Sequence, residues 1–251
     1  MSALSQGHDC TQLIVHPTFS EGLLSVVIPT LRTKRDIVVI FKGKGPKLYT
    51  FRQGKDIDNV GKVVWASGIF LAQYLANGIA SVRGKRAVEL GCGAAPLASL
   101  VLGELGCRTI STDGMDDVLA LAKINIDSNW QGQLHPTYAS RPKCTVLRWG
   151  NEAEIDHVLK DGVFDIVIAA DVIYMEKAHT ALLATLSKIT DETSEVYIAF
   201  QIRLHAFEGN FFTETVHRFG FHHEIVWTND STPKVQIARL QKVKIDRLIS
   251  N

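Results

Sequence analysis

Two glycines and an acidic residue are spaced so that they could hold a nucleoside-containing ligand. Gly91 and Gly93 follow the apolar run that ends at Leu90, and Asp113 ends the next apolar run. Glycines let the backbone approach a ligand closely, and a helix that begins after them offers unpaired N–H groups. Asp113 can accept hydrogen bonds from both ribose hydroxyls, and it lies close to the roughly 20-residue offset expected of a ribose-binding acid. The pattern predicts a nucleoside-containing cofactor.

The residues around these glycines argue against a dinucleotide. A dinucleotide-binding loop needs a third glycine three residues after the second, and Pro96 stands there instead. Glu89 lies just before the turn, where its carboxylate would repel a diphosphate. The same carboxylate would suit the cationic amino-acid end of S-adenosylmethionine. This cofactor is therefore favoured, and an NAD-linked oxidoreductase is disfavoured.

The composition excludes several classes of protein. The chain has 251 residues, 46% hydrophobic content and a net charge of +1, which fits one large domain or a domain with an extension. This charge gives no electrostatic reason to expect binding to a nucleic-acid backbone or an anionic membrane. Lys42, Lys44 and Lys47 are predicted to share a solvated loop. The four cysteines form no CxxC pair, so no metal site is expected.

Other features set the default expectations for location and assembly. No window approaches 18 uninterrupted apolar residues, and no basic-then-apolar leader is visible. We therefore expect a cytoplasmic protein, with a nuclear location as the alternative. No oligomerisation signal stands out, so a monomer is expected.

The chain divides into two parts by its pattern. Residues 1–60 are predicted to form a small β-rich extension, because short β-branched runs at Leu23–Ile28, Ile37–Phe41 and Leu48–Phe51 are broken by glycine and proline. A helix is predicted to start near Ser67. Residues 61–251 are predicted to form the main domain.

From Lys85 onward, predicted strands alternate with predicted helices, which is typical of βαβ units around a parallel sheet. The strand candidates are Ala87–Leu90, Arg108–Thr112, Cys144–Trp149, Phe164–Ala170, Glu195–Gln201, Phe221–Trp227 and Val235–Leu240. The helix candidates are Pro96–Leu105, Met115–Ser128, Glu152–Lys160, Ala178–Ile189 and Glu208–Phe219. The pattern predicts an α/β fold: a Rossmann-like, seven-stranded, mostly parallel sheet with a C-terminal antiparallel hairpin. Its ligand would lie at the carboxyl ends of the strands.

Five segments resemble those of the seven-β-strand methyltransferases, and within them methyltransferase family 16. They are Gly61–Trp65 with Leu71–Leu75, Val88–Gly93, Ser111–Asp113, Val146–Gly150 with its L-x-W-G pattern, and Phe164–Tyr174 with its D-x-x-Y pattern. The resemblance runs from about residue 60 nearly to the end of the chain. Family members methylate lysines of Hsp70 chaperones, elongation factor 1A and valosin-containing protein.

The resemblance implies roles for individual positions. The backbone of Gly91, Cys92 and Gly93 would approach the cofactor, Asp113 would hold its ribose, and Ala170 would line its pocket. Trp65 and Trp149 would flank that pocket, with Trp149 beside the adenine. Asp171 and Tyr174 would lie at the methyl-transfer mouth, where Asp171 would orient the incoming lysine. Each position also has a purely structural reading: the tryptophans could be core residues, Tyr174 could serve packing, and Asp171 could cap a helix.

The chain departs from the family at Ala95, where a third loop glycine is usual, and at Ala66 and Gly114. Alanine at position 95 is compatible with cofactor binding if its φ is negative. The resemblance implies a protein-lysine N-methyltransferase whose substrate is an Hsp70-type chaperone, an elongation factor or an AAA ATPase. Three alternatives stay open: methylation of another protein group, methylation of a nucleic acid or small molecule, and cofactor binding without catalysis.

Overall fold

A seven-stranded sheet forms the centre of the protein. The structure is a computed structural model that describes residues 12–15, 24–28, 34–54, 60–79, 82–132, 134–203, 210–229 and 232–243. The strands are β1 Gln12–Val15, β2 Leu24–Ile28, β3 Lys34–Phe41, β4 Gly45–Arg52, β5 Arg86–Leu90, β6 Arg108–Asp113, β7 Lys143–Val146, β8 Ile166–Ala170, β9 Glu195–Gln201, β10 Phe221–Thr228 and β11 Val235–Lys242. The helices are α1 Ala66–Gly78, α2 Leu97–Glu104, α3 Asp116–Asn129, α4 Glu152–Val158 and α5 Glu176–Ile189.

The order of strands in the large sheet is β10-β11-β9-β8-β5-β6-β7. β5 pairs in parallel with β6 and β8, whereas β11 runs antiparallel to β9 and β10. The predicted α/β fold is therefore confirmed, including the C-terminal hairpin. Ile166 and Ile168 of β8 pack into the core on one face of the sheet, while Val167 and Ala169 pack into the core on the other. Because β8 is covered on both faces, its sequence is a continuous apolar run.

Two differences between the predicted and the observed elements bear on the site. β7 ends at Val146 instead of Trp149. Among the described residues its neighbour in the sheet is β6, which ends at Asp113; the carbonyl oxygen of Asp113 accepts a last hydrogen bond from Leu147 N at 3.1 Å. Beyond that point no strand of the described residues remains to pair with, and Trp149 lies in a turn. The helix predicted to follow β9 is a π-helical turn, Phe211–Thr215, that continues into a short α-helical turn, Val216–Arg218.

The β3–β4 hairpin belongs to a second sheet, of order β1-β2-β3-β4, and packs against helices α1 and α3. Its buried side chains share one hydrophobic core with α1 and α2. Two asparagines of α3 form hydrogen bonds with the backbone of β4, as a neighbouring strand would. Asn129 exchanges hydrogen bonds with the backbone of Thr50 at 2.6 and 2.8 Å, and Asn125 does so with Arg52 at 2.8 and 2.9 Å.

Lys47 does not lie on a solvated loop as predicted. It is part of β4, and it forms a buried ion pair with Glu104 at the end of α2. Glu104 also accepts hydrogen bonds from the backbone N–H groups of Gly132 and Leu134 at 3.2 and 3.3 Å. The ammonium group is buried because this carboxylate compensates its charge. The hairpin is thus tied to the helices by an ion pair as well as by apolar packing.

Candidate active site

A cavity of about 550 Å³ opens at the carboxyl ends of the central strands. Such a volume is ordinary for a small-molecule site. Every site residue predicted from the sequence lines it: Trp65, Glu89, Gly91, Cys92, Gly93, Asp113, Trp149, Ala170, Asp171 and Tyr174. The structure therefore brings together candidates that are up to about a hundred residues apart in the sequence.

The glycine loop after β5 has no room for larger side chains. Gly91 and Gly93 have φ values of +65° and +58°, a region that L-residues rarely adopt. A Cβ at Gly91 would lie 3.0 Å from Val172 Cγ1, and one at Gly93 would lie 2.9 Å from the carbonyl oxygen of Gly61. Ala95 is not among the described residues with positive φ, which meets the condition for an alanine there.

Asp113 closes the loop from the end of β6. Its Oδ2 accepts a hydrogen bond from Gly93 N and its Oδ1 accepts one from Met115 N, both at 3.0 Å. Burial raises the pKa of Asp113, while these backbone hydrogen bonds oppose the rise. Each carboxylate oxygen has a further lone pair with which to accept a hydroxyl. Asp113 can therefore hold the loop and a ribose at the same time.

Glu89 is a buried carboxyl in the cavity wall, with 4% of its surface exposed. Its Oε2 accepts hydrogen bonds from both the backbone N–H and the hydroxyl of Ser99. Burial raises the pKa of Glu89 to about 7, against the effect of the two Ser99 hydrogen bonds. Among the described residues no cation forms an ion pair with it. The wall of the cavity therefore has a place for a positively charged ligand group.

Asp171 follows β8 with a φ of 53°, the only positive φ of a non-glycine residue in the described ranges. A strained backbone of this kind costs about 1–3 kcal/mol and occurs often at functional sites. Its Oδ1 accepts hydrogen bonds from Gln201 N at 3.3 Å and from Arg203 Nη1 at 3.1 Å. Its Oδ2 is buried and has no hydrogen-bond partner among the described residues. Helix α5 begins at Glu176 with Met175 as its N-cap, so Asp171 does not cap it.

Aromatic and sulfur-containing side chains surround the opening of the cavity. Trp65 and Tyr174 are 39% and 46% exposed, and Met115 is 50% exposed. Trp65 is fixed by a hydrogen bond from its Nε1 to the carbonyl oxygen of Val60 at 2.9 Å. Trp149 lies deeper, against the glycine loop: its Cζ2 would be 3.2 Å from a Cβ at Gly91. Trp65 and Tyr174 are thus only partly buried, unlike core aromatic residues.

Several residues that line or support the site were not predicted as site residues, and three of them have a clear structural role. Arg203 lines the cavity and contacts Asp171, and its position just beyond the end of the predicted strand Glu195–Gln201 was the available signal. Ser99 holds Glu89, and it lies on the first turn of a predicted helix. Gly61 accepts a hydrogen bond from Ala94 N at 2.7 Å, a long-range contact with no local signature.

Neither a metal centre nor a membrane span is found in the described ranges. No group of three or more histidine, cysteine, aspartate or glutamate side chains is arranged to hold a metal ion. No helix among these residues is long and apolar enough to cross a membrane.

Comparison with known proteins identifies the family. The family model described as "Lysine methyltransferase", methyltransferase family 16, matches residues 44–218. The mouse protein N-lysine methyltransferase METTL21A is 33% identical over 160 residues, which cover 64% of this chain and 69% of the mouse protein. The mouse EEF1A lysine methyltransferase 3 is 30% identical over 140 residues, which cover 56% of this chain and 55% of that protein.

A solved structure supports the fold separately. The ribosomal protein L11 methylase from Lactobacillus delbrueckii subsp. bulgaricus has a TM-score of 0.50 and 16% sequence identity, over 72% of this chain and 81% of that chain. At this identity the likeness concerns the fold alone. The match to the family model is what identifies the reaction, and it confirms the prediction of S-adenosylmethionine as cofactor. The chain belongs to the lysine methyltransferases of methyltransferase family 16 and is an S-adenosylmethionine-dependent protein-lysine methyltransferase.

Proposed function

We propose that the two sides of the cavity divide the reaction between them, with the cofactor held by β5 and β6 and the acceptor lysine received beside β8. Asp113 binds the ribose, and Trp149 offers an aromatic face to the adenine. Glu89 binds the amino group of the methionine end. The backbone of Gly91, Cys92 and Gly93 passes close to the cofactor, while Ala170 and Trp65 complete the wall.

The observation that supports this division best is that two buried carboxyls of the cavity wall each lack a partner among the described residues. Glu89 lacks an ion-pair partner, and Asp171 Oδ2 lacks a hydrogen-bond partner. Glu89 is buried without an ion-pair partner among the described residues, and burial raises its pKa to about 7. Asp171 is 8% exposed, and its Oδ2 has no hydrogen-bond partner among the described residues. A buried acceptor that is left unpaired costs about 1–3 kcal/mol, so Asp171 Oδ2 favours a ligand that donates a hydrogen bond there. Glu89 already accepts hydrogen bonds from Ser99, and its ionised form favours a cationic ligand group.

In this reaction the protein contributes mainly by positioning the cofactor and the acceptor lysine. When bound, S-adenosylmethionine supplies an electrophilic methyl group. Asp171 Oδ2 accepts a hydrogen bond from the lysine nitrogen, and Trp65 and Tyr174 confine the aliphatic part of the lysine. Because a free lysine has a pKa of about 10.4, its proton must leave to water before the nitrogen can attack. Holding nitrogen and methyl carbon about 3–3.5 Å apart then supplies most of the rate enhancement.

The substrate protein would dock around the exposed aromatic opening. We propose that the extension before residue 60 and the loops after Tyr174 and Gln201 form the docking surface, although residues 1–11, 16–23, 29–33, 55–59 and 204–209 lie outside the described residues. The proposed substrate classes are an Hsp70-type chaperone, an elongation factor and an AAA ATPase, with the chaperone favoured by the resemblance of the segment around Gln201. We further propose that the protein acts as a cytoplasmic monomer, with a nuclear pool as the alternative.

Transfer of label to protein tests this function. The purified chain is incubated with tritiated S-adenosylmethionine and soluble cell extract, and labelled bands are separated by gel and identified by mass spectrometry. We expect a discrete protein band whose label lies on lysine. The Asp113→Ala variant should lose it, whereas Asp127→Asn, which changes an exposed carboxylate on α3 paired with Arg141, should retain it. Label on nucleic acid alone, or on a residue other than lysine, would contradict the proposal.

A further inference from the structure

Arg203 is the cation that contacts Asp171 inside the cavity. Its Nη1 lies 3.1 Å from Asp171 Oδ1, and its Nη2 donates to Gln201 Oε1 at 3.4 Å. Its guanidinium carbon also lies 5.6 Å from the centre of the Trp65 ring, within cation–π range. The guanidinium group is therefore held between the carboxylate and the rim of the cavity.

This arrangement bears on a conflict in the chemistry. A lone carboxylate beside the acceptor would favour the ammonium form of lysine, which has no lone pair with which to attack. A neighbouring cation has the opposite effect and favours the neutral amine. An arginine remains protonated at any pH at which the enzyme would work, so its charge is constant.

We propose that Arg203 is a positioning residue that neutralises Asp171, so that Asp171 orients the acceptor lysine through Oδ2 without holding it as an ammonium ion. This inference rests on the proposed function, because it takes Asp171 as the lysine-binding group. The lysine nitrogen gives its proton to water and then forms the N–C bond, while the methyl–sulfur bond breaks and its electron pair stays on sulfur. The product is a methylated ammonium ion.

The cavity wall contains other charged and titratable groups besides Asp171 and Arg203. They are Glu89, Cys92, Asp113, Arg148 and Tyr174. Glu89 and Asp113 are bound by donors at the cofactor side, and Arg148 pairs with Glu154. Burial raises the pKa of the Cys92 thiol and of the Tyr174 phenol, so both stay neutral near pH 8. In the described part of the wall, the charge next to Asp171 is therefore set by Arg203.

The effect of Arg203 on the charge around Asp171 can be tested with two cofactor analogues, without the protein substrate. Sinefungin carries an amine where the cofactor has its transferable methyl group, and S-adenosylhomocysteine has nothing there. Their α-amino and carboxylate groups are the same, so the ratio of their dissociation constants isolates the response to that amine. The ratio is measured by calorimetry for the wild type, Arg203→Gln and Arg203→Lys, with Arg239→Gln as the matched control. Arg239 pairs with Glu224 on the C-terminal hairpin and does not line the cavity.

We expect Arg203→Gln to prefer sinefungin over S-adenosylhomocysteine about tenfold more than the wild type does at pH 7.5, the effect of about one pKa unit. Arg203→Lys keeps the positive charge and Arg239→Gln lies outside the cavity, so the ratio should stay within about twofold of the wild type in both. A change of about 1 kcal/mol would exceed fivefold. An unchanged ratio in Arg203→Gln, with normal binding of S-adenosylhomocysteine, would overturn the role of Arg203 and leave the proposed function intact. Absence of S-adenosylhomocysteine binding in the wild type would overturn both.

A pH series on the wild type alone decides the matter if Arg203→Gln does not fold. Beside a neutralised carboxylate the bound amine loses its proton no less easily than in water, so the preference for sinefungin should stay level or rise between pH 7.5 and pH 9.5. Beside an uncompensated carboxylate the bound amine would keep its proton more tightly. The preference would then fall over the same range, and the inference would be wrong.

Discussion

The two sides of the cavity are built by different means. On the proposed cofactor side, backbone N–H groups donate to both carboxylate oxygens of Asp113, and the loop contains two glycines with positive φ. On the proposed acceptor side, Asp171 Oδ1 accepts hydrogen bonds from the backbone N–H of Gln201 and from the Arg203 side chain, and Asp171 Oδ2 has no partner in the described ranges. Backbone donors in the turns after adjacent strands are fixed by the fold, whereas a long side chain such as that of Arg203 can rearrange. We infer that the first side provides constant cofactor affinity and the second side adapts to the substrate.

The strongest test of the rigid side is Gly93→Ala. The new Cβ would lie 2.9 Å from the carbonyl oxygen of Gly61, at a φ of +58°. We expect a loss of about 2–3 kcal/mol, or roughly 30- to 160-fold, in the binding of S-adenosylhomocysteine measured by calorimetry. Gly84→Ala is the matched control, since Gly84 has a φ of +77° but no atom near its Cβ position. Equal dissociation constants for Gly93→Ala and the wild type would show that the loop is not rigid.

Asp171→Asn should separate the two sides kinetically. Asparagine tolerates positive φ, so the backbone at position 171 can be kept while the charge is removed. We expect turnover with a lysine-containing substrate to fall about 100-fold. Loss of one orienting group can raise the activation free energy by up to several kcal/mol. Binding of S-adenosylhomocysteine should change less than about threefold, which is under 1 kcal/mol. A parallel loss of cofactor affinity would place Asp171 on the cofactor side instead.

Asp113→Asn should do the reverse. It removes the charge from the proposed ribose-binding group while keeping its shape, and hydrogen bonds to charged groups contribute about 1.5–3 kcal/mol. We expect the Michaelis constant for S-adenosylmethionine to rise roughly 10- to 100-fold. Turnover at saturating cofactor should stay near that of the wild type. A fall in turnover without a change in cofactor affinity would break the division between the two sides.

The smallest effect concerns pH and Glu89. Its pKa in the ligand-free protein is about 7, and a cationic ligand group binds the ionised form better. As pH falls through 7 the carboxyl gains a proton, so cofactor affinity should decrease. If only the ionised form binds, the affinity for S-adenosylhomocysteine falls about fourfold between pH 8 and pH 6.5. In Glu89→Gln this pH dependence should be absent, and a wild type with the same flat profile would contradict the assignment.

The sequence predicted the strand ends that carry the site better than the contacts between residues distant in sequence, and the reason is physical. The ends of β5, β6 and β9 follow from apolar runs and were predicted to within one residue. The end of β7 was predicted wrongly, because it depends on the length of the neighbouring strand and not on its own residues. Arg203 was not predicted as a site residue, because its role comes from its contact with Asp171. Lys47 was predicted wrongly, because its ion pair with Glu104 joins residues that are distant in sequence.

One asparagine links the two layers of the protein. Asn125 Nδ2 donates to the carbonyl oxygens of Arg52, in β4, and of Ala94, in the glycine loop, at 2.9 and 2.7 Å. A single amide is therefore bonded both to the hairpin and to the loop that we propose binds the cofactor. Any free energy by which cofactor binding tightens this loop is shared with the hairpin, and the linkage is reciprocal. A substrate protein that grips the hairpin would thereby change the residence time of the cofactor without touching it.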